Sequence, residues 1–135
     1  MVYLTRIEHF NAAHKLYNPN WSKEKNDAVF GRCANENWHG HNFDLEVTVV
    51  GEIDTMTGFL IELNHFKRII EETVVDKVDH KNLNLDVEFM KGLMPSTENL
   101  ARAIWQQLEP VLAPIKLYSV KLYETPRNVV EYRGE

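Results

Sequence analysis

The stretch HNFDLEVTVV, residues 41–50, decides the fold class, because apolar and polar residues alternate through most of it. Every second residue from Phe43 to Val49 is apolar, and the residues between them are polar or charged. Successive side chains of a strand point to opposite faces, so this pattern predicts an antiparallel strand with one buried face. Residues 2–14 alternate more loosely and predict a preceding strand.

Two helices are predicted downstream of these strands. From Leu63 to Val78 the apolar residues recur at steps of three or four, which is the period of an amphipathic helix. A second helix is predicted to begin at Pro95 and Ser96 and to be stopped by Pro110 and Pro114, because serine is a common N-cap and proline interrupts helices.

The remaining segments complete a sheet. Residues 116–124 and 129–133 are predicted to be two closing strands, residues 59–61 a short strand, and the polar residues 18–27 a loop. The chain is therefore predicted to be one α+β domain, residues 1–135, with the order ββααββ. In this arrangement a four-stranded antiparallel sheet carries two helices packed on one face.

Composition limits the function classes. A chain of 135 residues with 44% hydrophobic content suits a single core, and its net charge of -5 argues against general binding to nucleic acid. No apolar run is long enough for a membrane span, and charges near the start replace the apolar stretch of a signal peptide. One cysteine permits no internal disulfide, so we expect a cytoplasmic protein. The open edges of the predicted sheet favour an oligomer.

Two histidines just before the predicted second strand indicate a metal site. His39 and His41 are separated by one glycine, so both imidazoles can point at one ion. His14, at the end of the preceding strand, is the candidate third ligand, and three imidazoles with an open fourth position are typical of catalytic zinc. Two alternatives remain open: Cys33 closes a structural site as fourth ligand, or the histidines bind no metal.

Three ionisable residues outside this cluster are further candidates for a functional site. Asp79 and His80 are adjacent, and the carboxylate could orient the ring for proton transfer, although such a pair is also common in loops. Glu124 shares a strand face with apolar Val120 and Leu122, where a carboxylate is costly without a partner. A planar heterocycle with ring N–H and amino donors would suit Glu124, and solvent at the end of the sheet is the alternative.

Six motifs in order give a family resemblance: FNAAH, C-x5-HGHN, TGFLIEL, VDHKNLN, PSTEN and YET. Together they span nearly the whole chain, which resembles the 6-pyruvoyl-tetrahydropterin synthase family from end to end. The resemblance implies a T-fold, in which the sheets of three subunits form a barrel. It also implies a homohexamer made of two stacked trimers, with active sites at the subunit interfaces.

The resemblance also implies roles for particular residues. It implies a zinc ion (Zn2+) bound by three imidazoles: His14, His39 and His41. It implies a catalytic set of Cys33, Asp79 and His80. In this set Asp79 and His80 reach Cys33 from a neighbouring subunit. It implies that Glu124 anchors a pterin and that Thr97 and Glu98 lie beside the pterin ring.

The family reaction is that of a lyase of tetrahydrobiopterin biosynthesis. It converts 7,8-dihydroneopterin triphosphate to 6-pyruvoyl-tetrahydropterin with loss of triphosphate, and the resemblance implies a Cys33 thiolate with a lowered pKa as the base. Related enzymes of the queuosine route make 6-carboxy-tetrahydropterin and place the cysteine four residues before the first histidine, whereas here the interval is six. Ala34, Glu36 and Trp38 differ from the residues usual in the biopterin enzymes. These differences bear on which substrate side chain the protein prefers. A non-catalytic, zinc-containing pterin-binding protein is a further alternative.

Overall fold

The fold is built on the antiparallel pairing of two long strands. In the computed structural model, which describes residues 1–135, β1 (Val2–His14) pairs with β2 (His39–Gly51) along its whole length. The register places Val2 opposite Gly51 and His14 opposite His39. Both strands lie where the alternation predicts them, and the register sets two of the three candidate metal ligands side by side.

The sheet has five strands in the order β3-β1-β2-β4-β5. The remaining elements are α1 (Lys23–Phe30), α2 (Leu63–Ile70), β3 (Lys81–Asn82), α3 (Thr97–Leu112), β4 (Lys116–Thr125) and β5 (Asn128–Tyr132). The α+β class is confirmed, but the four-stranded antiparallel sheet is wrong, because β3 adds a fifth strand parallel to β1. With two residues, β3 is too short to produce an alternating pattern.

The two predicted helices form. α2 continues through a π-helical turn, Glu71–Val75, into a last α-helical turn that ends at Val78. α3 begins after its N-cap Ser96, whose hydroxyl accepts a hydrogen bond from the backbone N–H of Asn99. Of the two prolines predicted to stop this helix, Pro110 lies inside it, and the helix ends at Leu112, before Pro114. Pro110 is exposed and near the C-terminal end, so the carbonyl left without its N–H partner is close to water.

A third helix, α1, lies in the segment that was predicted as a loop. Its apolar periodicity is weak, and its one fully buried residue is polar: Asn26. The Asn26 side chain accepts a hydrogen bond from the backbone N–H of Asn18 and donates to the carbonyls of Asn18 and Ser22. Hydrogen bonding rather than apolar burial therefore organises this segment, which hydrophobic periodicity cannot detect. The predicted short strand at residues 59–61 is also wrong, since this segment is irregular.

The core lies between one face of the sheet and helices α2 and α3. Alternate residues of β2 and β4 face it, and they pack against the apolar side of both helices: Phe43, Leu45, Val47, Val120, Leu122, Phe66, Ile70, Leu100, Ile104 and Leu108. The helices of the chain are all too short or too polar to cross a membrane. The core ends near His14 and His41, so the metal-ligand candidates lie at one end of the packed layer.

Candidate metal centre and adjoining cavity

Three imidazoles converge at the end of the β1–β2 pair. The ring nitrogens that His14, His39 and His41 can offer to a metal all lie within 4.8 Å of one another. His14 and His39 are cross-strand partners, and His41 is two residues along β2 on the same face. The chain thus brings together the three residues expected to share an ion, and this group could hold a metal.

The orientation of His14 leaves one nitrogen free for a metal. Its Nδ1 lies 2.8 Å from the backbone carbonyl oxygen of Pro95, which can only accept a hydrogen bond. Nδ1 therefore carries the proton, and Nε2 presents a lone pair toward the other two histidines. A carbonyl that fixes the tautomer of a ligating histidine is a usual second-shell partner in metal sites.

The chemistry of this donor set fits a divalent metal ion. Nε2 of His14 and both ring nitrogens of His39 are buried and have no hydrogen-bond partner in the chain. Burying polar nitrogens without partners is costly, and a metal ion would satisfy them. Three neutral imidazoles are also the ligand set that zinc accepts in catalytic sites.

The electrostatic environment keeps these rings neutral. Burial lowers the pKa of His14, His39 and His41, and their mutual repulsion when protonated adds to the shift. The carboxylate of Glu124 acts in the opposite direction on all three rings, but burial is the larger effect. A neutral imidazole is the form that binds metal, so the site is prepared for ligation at neutral pH.

Glu124 lies at the boundary between the histidines and an open cavity. Its Oε2 is 3.9 Å from Nε2 of His14 and 3.9 Å from Nε2 of His41. The hydroxyl of Thr97, at the first turn of α3, donates a hydrogen bond of 2.6 Å to the same oxygen. The Thr97 hydroxyl therefore fixes this carboxylate oxygen beside the imidazoles.

The adjoining cavity, of about 470 Å³, brings together four of the residues singled out from the sequence. Cys33, Thr97, Glu98 and Glu124 all line it, although they come from three separate segments of the chain. Arg127 also lines it and was not predicted. The sequence feature that could have identified Arg127 is its position in the turn three residues after Glu124.

Cys33 reaches this cavity from a 3-10 turn, Gly31–Ala34, that follows α1. The backbone N–H of Leu16 donates a hydrogen bond to the Cys33 carbonyl and ties this turn to the end of β1. Burial raises the pKa of the Cys33 thiol, and the Glu124 carboxylate raises it further. This direction is opposite to the lowered pKa expected from the resemblance, because the side chains of one subunit favour the thiol over the thiolate.

Asp79 and His80 do not join Cys33 within one chain. They lie beside β1, where the backbone N–H of Asn11 donates to Asp79 Oδ1 at 2.9 Å and the Asn11 carbonyl accepts from the His80 N–H. Asp79 Oδ1 is 3.1 Å from His80 Nδ1, and these contacts, that with Asn11 first, lower the pKa of Asp79. The His80 side chain is 82% exposed. The pair is therefore oriented and exposed, and neither residue lines the cavity of its own subunit.

Two residues of the site region have positive φ angles without being glycine. Trp38, which precedes His39, has φ of 67°, and His80 has φ of 60°. Residues other than glycine are disfavoured in this left-handed region, because their Cβ atom crowds the backbone. Tertiary contacts must therefore hold both residues there. The Trp38 ring contacts the ammonium group of Lys15, which lies 5.5 Å from the ring centroid. No periodicity in the sequence signals either angle.

Comparisons with known proteins agree on one family. Residues 3–135 match the family model described as 6-pyruvoyl tetrahydropterin synthase. The 6-pyruvoyl tetrahydrobiopterin synthase of Pongo abelii is 47% identical over 126 residues, covering 93% of this chain and 87% of the relative. The protein of the same name from Dictyostelium discoideum is 46% identical, covering 99% and 97%. The structure of Caenorhabditis elegans 6-pyruvoyl tetrahydropterin synthase superposes with a TM-score of 0.93 at 37% identity, covering 99% and 96%.

Proposed function

The chain belongs to the 6-pyruvoyl tetrahydropterin synthase family, and from that membership we propose that it is a zinc-dependent lyase acting on a pterin triphosphate. It converts 7,8-dihydroneopterin triphosphate to 6-pyruvoyl-tetrahydropterin and releases triphosphate. The observation that carries this proposal is the single cavity in which Cys33, Thr97 and Glu124 meet, next to three converging imidazoles. A cytoplasmic location is part of the proposal, because the one cysteine is an unpaired thiol.

Glu124 sets the position of the pterin ring in this proposal. An ionised carboxylate accepts two hydrogen bonds side by side, and a pterin presents a ring N–H and an amino group in that arrangement. Thr97 holds the carboxylate through one oxygen, and Glu98 lines the same cavity. Because Glu124 is close to the histidine nitrogens, a ring held by this carboxylate would place its side chain beside them.

His14, His39 and His41 would hold the metal ion. When bound, zinc supplies a Lewis acid that polarises the hydroxyl groups of the substrate side chain and acidifies the neighbouring C–H bonds. The Pro95 carbonyl fixes the His14 ring, and the lowered pKa values of the three rings keep them available as ligands. Cys33 reaches the same cavity and would accept a proton from the substrate side chain.

The Asp79–His80 pair supports proton transfer between subunits. Asp79 is ionised and holds the His80 ring through Nδ1, which leaves Nε2 to exchange protons. Since neither residue lines the cavity of its own chain, the pair would serve the Cys33 thiol of a neighbouring subunit. An imidazolium delivered there would counteract the raised pKa of Cys33 and promote the thiolate.

The sheet offers the edges that such an assembly needs. β3 covers β1 only at Ala12 and Ala13, so the rest of that edge of β1 has no partner strand within the chain. Tyr3 and Ile7 are also exposed on β1. An unpaired edge of this length presents backbone N–H and C=O groups that can pair with a strand of another chain. We propose a homohexamer, a dimer of trimers with interface active sites, and light scattering tests it against six times the 15.8 kDa chain mass.

The decisive experiment identifies the product by mass. The purified, zinc-loaded protein is incubated with 7,8-dihydroneopterin triphosphate, and the 6-pyruvoyl product together with triphosphate is expected. Acetaldehyde with 6-carboxy-tetrahydropterin would instead assign the queuosine-type reaction, and the absence of turnover would favour a pterin-binding protein. The Cys33→Ala variant is expected to retain zinc and to lose triphosphate release.

Subunit mixing tests the shared active site. Cys33→Ala and His80→Ala chains are each expected to be inactive alone. When they are unfolded together and refolded as a mixture, some interfaces combine an intact Cys33 with an intact His80 and activity returns. Failure of the mixture to recover activity, with the hexamer formed, would contradict the sharing of residues between subunits.

A further inference from the structure

The Glu124 carboxylate points at the histidines as well as at the cavity. A residue that only anchored a pterin would need its oxygens directed to the open side. Instead Oε2 lies 3.9 Å from the Nε2 atoms of both His14 and His41, and the side chain is 23% exposed. Neither His nitrogen is close enough to form a hydrogen bond with it. The Thr97 hydroxyl is the one hydrogen-bond partner of Oε2 within the chain, and neither imidazole is hydrogen-bonded to it.

These distances are somewhat longer than those between two ligand atoms of one ion. Zinc lies about 2.0–2.2 Å from nitrogen and carboxylate oxygen ligands, so two ligand atoms of one tetrahedral ion are about 3.4 Å apart. The three candidate histidine nitrogens lie within 4.8 Å of one another. Oε2 is 3.9 Å from two of these nitrogens, those of His14 and His41, which falls within the same range. A contraction around an ion would bring Oε2 into the same coordination shell as the nitrogens of His14 and His41.

The surroundings of Glu124 hold it in this direction. Thr97 is 7% exposed, and its hydroxyl donates to Oε2 at 2.6 Å. A carboxylate oxygen has lone pairs for both a hydroxyl donor and a metal ion. Thr97 is therefore placed as the outer partner that a ligating carboxylate usually has.

We propose that Glu124 is the fourth ligand of the metal ion when no substrate is present. The carboxylate then leaves the ion to pair with the pterin ring, which opens the coordination position as the substrate arrives. The second half of this inference rests on the proposed function, since it needs a pterin as the competing partner. One carboxylate thus couples recognition of the ring to exposure of the metal.

Cobalt(II) substitution tests the first half without any turnover. Metal-free protein is titrated with Co2+, and the visible absorption and the affinity against a chelator are recorded for wild type and Glu124→Gln. Glu98→Gln is the matched control, because it removes the same charge from the same cavity. We expect Glu124→Gln to shift the cobalt bands and to weaken binding at least tenfold, while Glu98→Gln leaves the bands unchanged.

The pH dependence of the same spectrum separates ligation from long-range charge. If Glu124 occupies the fourth position, the wild-type bands stay constant from pH 6.5 to 8.5. In Glu124→Gln a water molecule takes that position, and its ionisation near pH 7 changes the bands. Identical bands in wild type and Glu124→Gln, with equal affinity losses in both variants, would overturn the proposal. Circular dichroism verifies that each variant is folded.

A crystal structure of the zinc-loaded, substrate-free wild type is the second measurement, in case Glu124→Gln does not fold. Oε2 within about 2.2 Å of the ion supports the proposal, and a water molecule there with Oε2 outside the shell refutes it. Adding 6-methylpterin to the cobalt protein tests the second half. The wild-type bands should move toward those of Glu124→Gln, and no movement at saturation would refute the exchange. Product analysis of wild type decides the proposed function separately.

Discussion

Replacing the buried Asn26 with alanine tests how the segment that carries Cys33 is held. The Asn26 side chain makes three hydrogen bonds of 3.0 Å or less, one from the Asn18 N–H and two to the Asn18 and Ser22 carbonyls. Each such bond contributes about 1 kcal/mol net to stability. The backbone groups that lose their Asn26 partner are partly buried, so water does not fully replace it. The variant should therefore lose about 3 kcal/mol of stability. Urea unfolding at a fixed protein concentration measures this loss.

Asn20 provides the matched control. It lies in the same segment and is exposed, and its backbone rather than its side chain bonds to Asn18. Asn20→Ala should therefore change the free energy of unfolding by no more than about 0.5 kcal/mol. An Asn26→Ala loss no larger than that of Asn20→Ala would refute the account of α1 as a segment organised by hydrogen bonds.

The Asn26→Ala variant should also change the reactivity of the Cys33 thiol. α1 leads directly into the turn that carries Cys33, so loosening α1 should lower the cost of opening that turn. The rate at which a thiol reagent modifies Cys33 under native conditions should rise in Asn26→Ala and stay near the wild-type rate in Asn20→Ala. Equal rates in both variants would show that the turn is held independently of α1.

Three further predictions follow from the site and its supports. Trp38→Gly should be about 1 kcal/mol more stable than Trp38→Ala in urea, because φ of 67° penalises a Cβ; a more stable alanine variant would contradict this. The metal-free protein should lose thermal stability as the pH falls below about 6.5, because burial lowers the folded pKa of His39 and the unfolded chain takes up protons first. His39→Gln should weaken this dependence and exposed His65→Gln should not. Ser96→Ala should cost about 1 kcal/mol through loss of the α3 N-cap, and an unchanged urea midpoint would count against that cap.

Much of the fold and of the metal cluster follows from residue parity. The alternation around Phe43 predicts β2 because apolar burial has a period of two in a strand, and the same period places His39 and His41 on one face. Strand pairing then brings His14 opposite His39. Each of these inferences depends only on which side of a strand a residue occupies.

The parts that could not be predicted depend on contacts without a period. α1 is held by the amide of Asn26 rather than by an apolar face, and β3 is two residues long. The Pro95 carbonyl that orients His14 acts through the backbone, so no residue type reveals it. The exposed position of His80 depends on tertiary packing, and its role at a neighbouring Cys33 stays a prediction.

The location of a zinc ion in a crystal of the loaded protein is the most direct test of the account. An anomalous difference map recorded at the zinc edge should show one strong peak per chain, about 2.0–2.1 Å from one nitrogen each of His14, His39 and His41. Cys33 should face the cavity without contacting the ion. A map with no peak among these rings, or a peak bonded to the Cys33 sulfur at about 2.3 Å, would contradict the account.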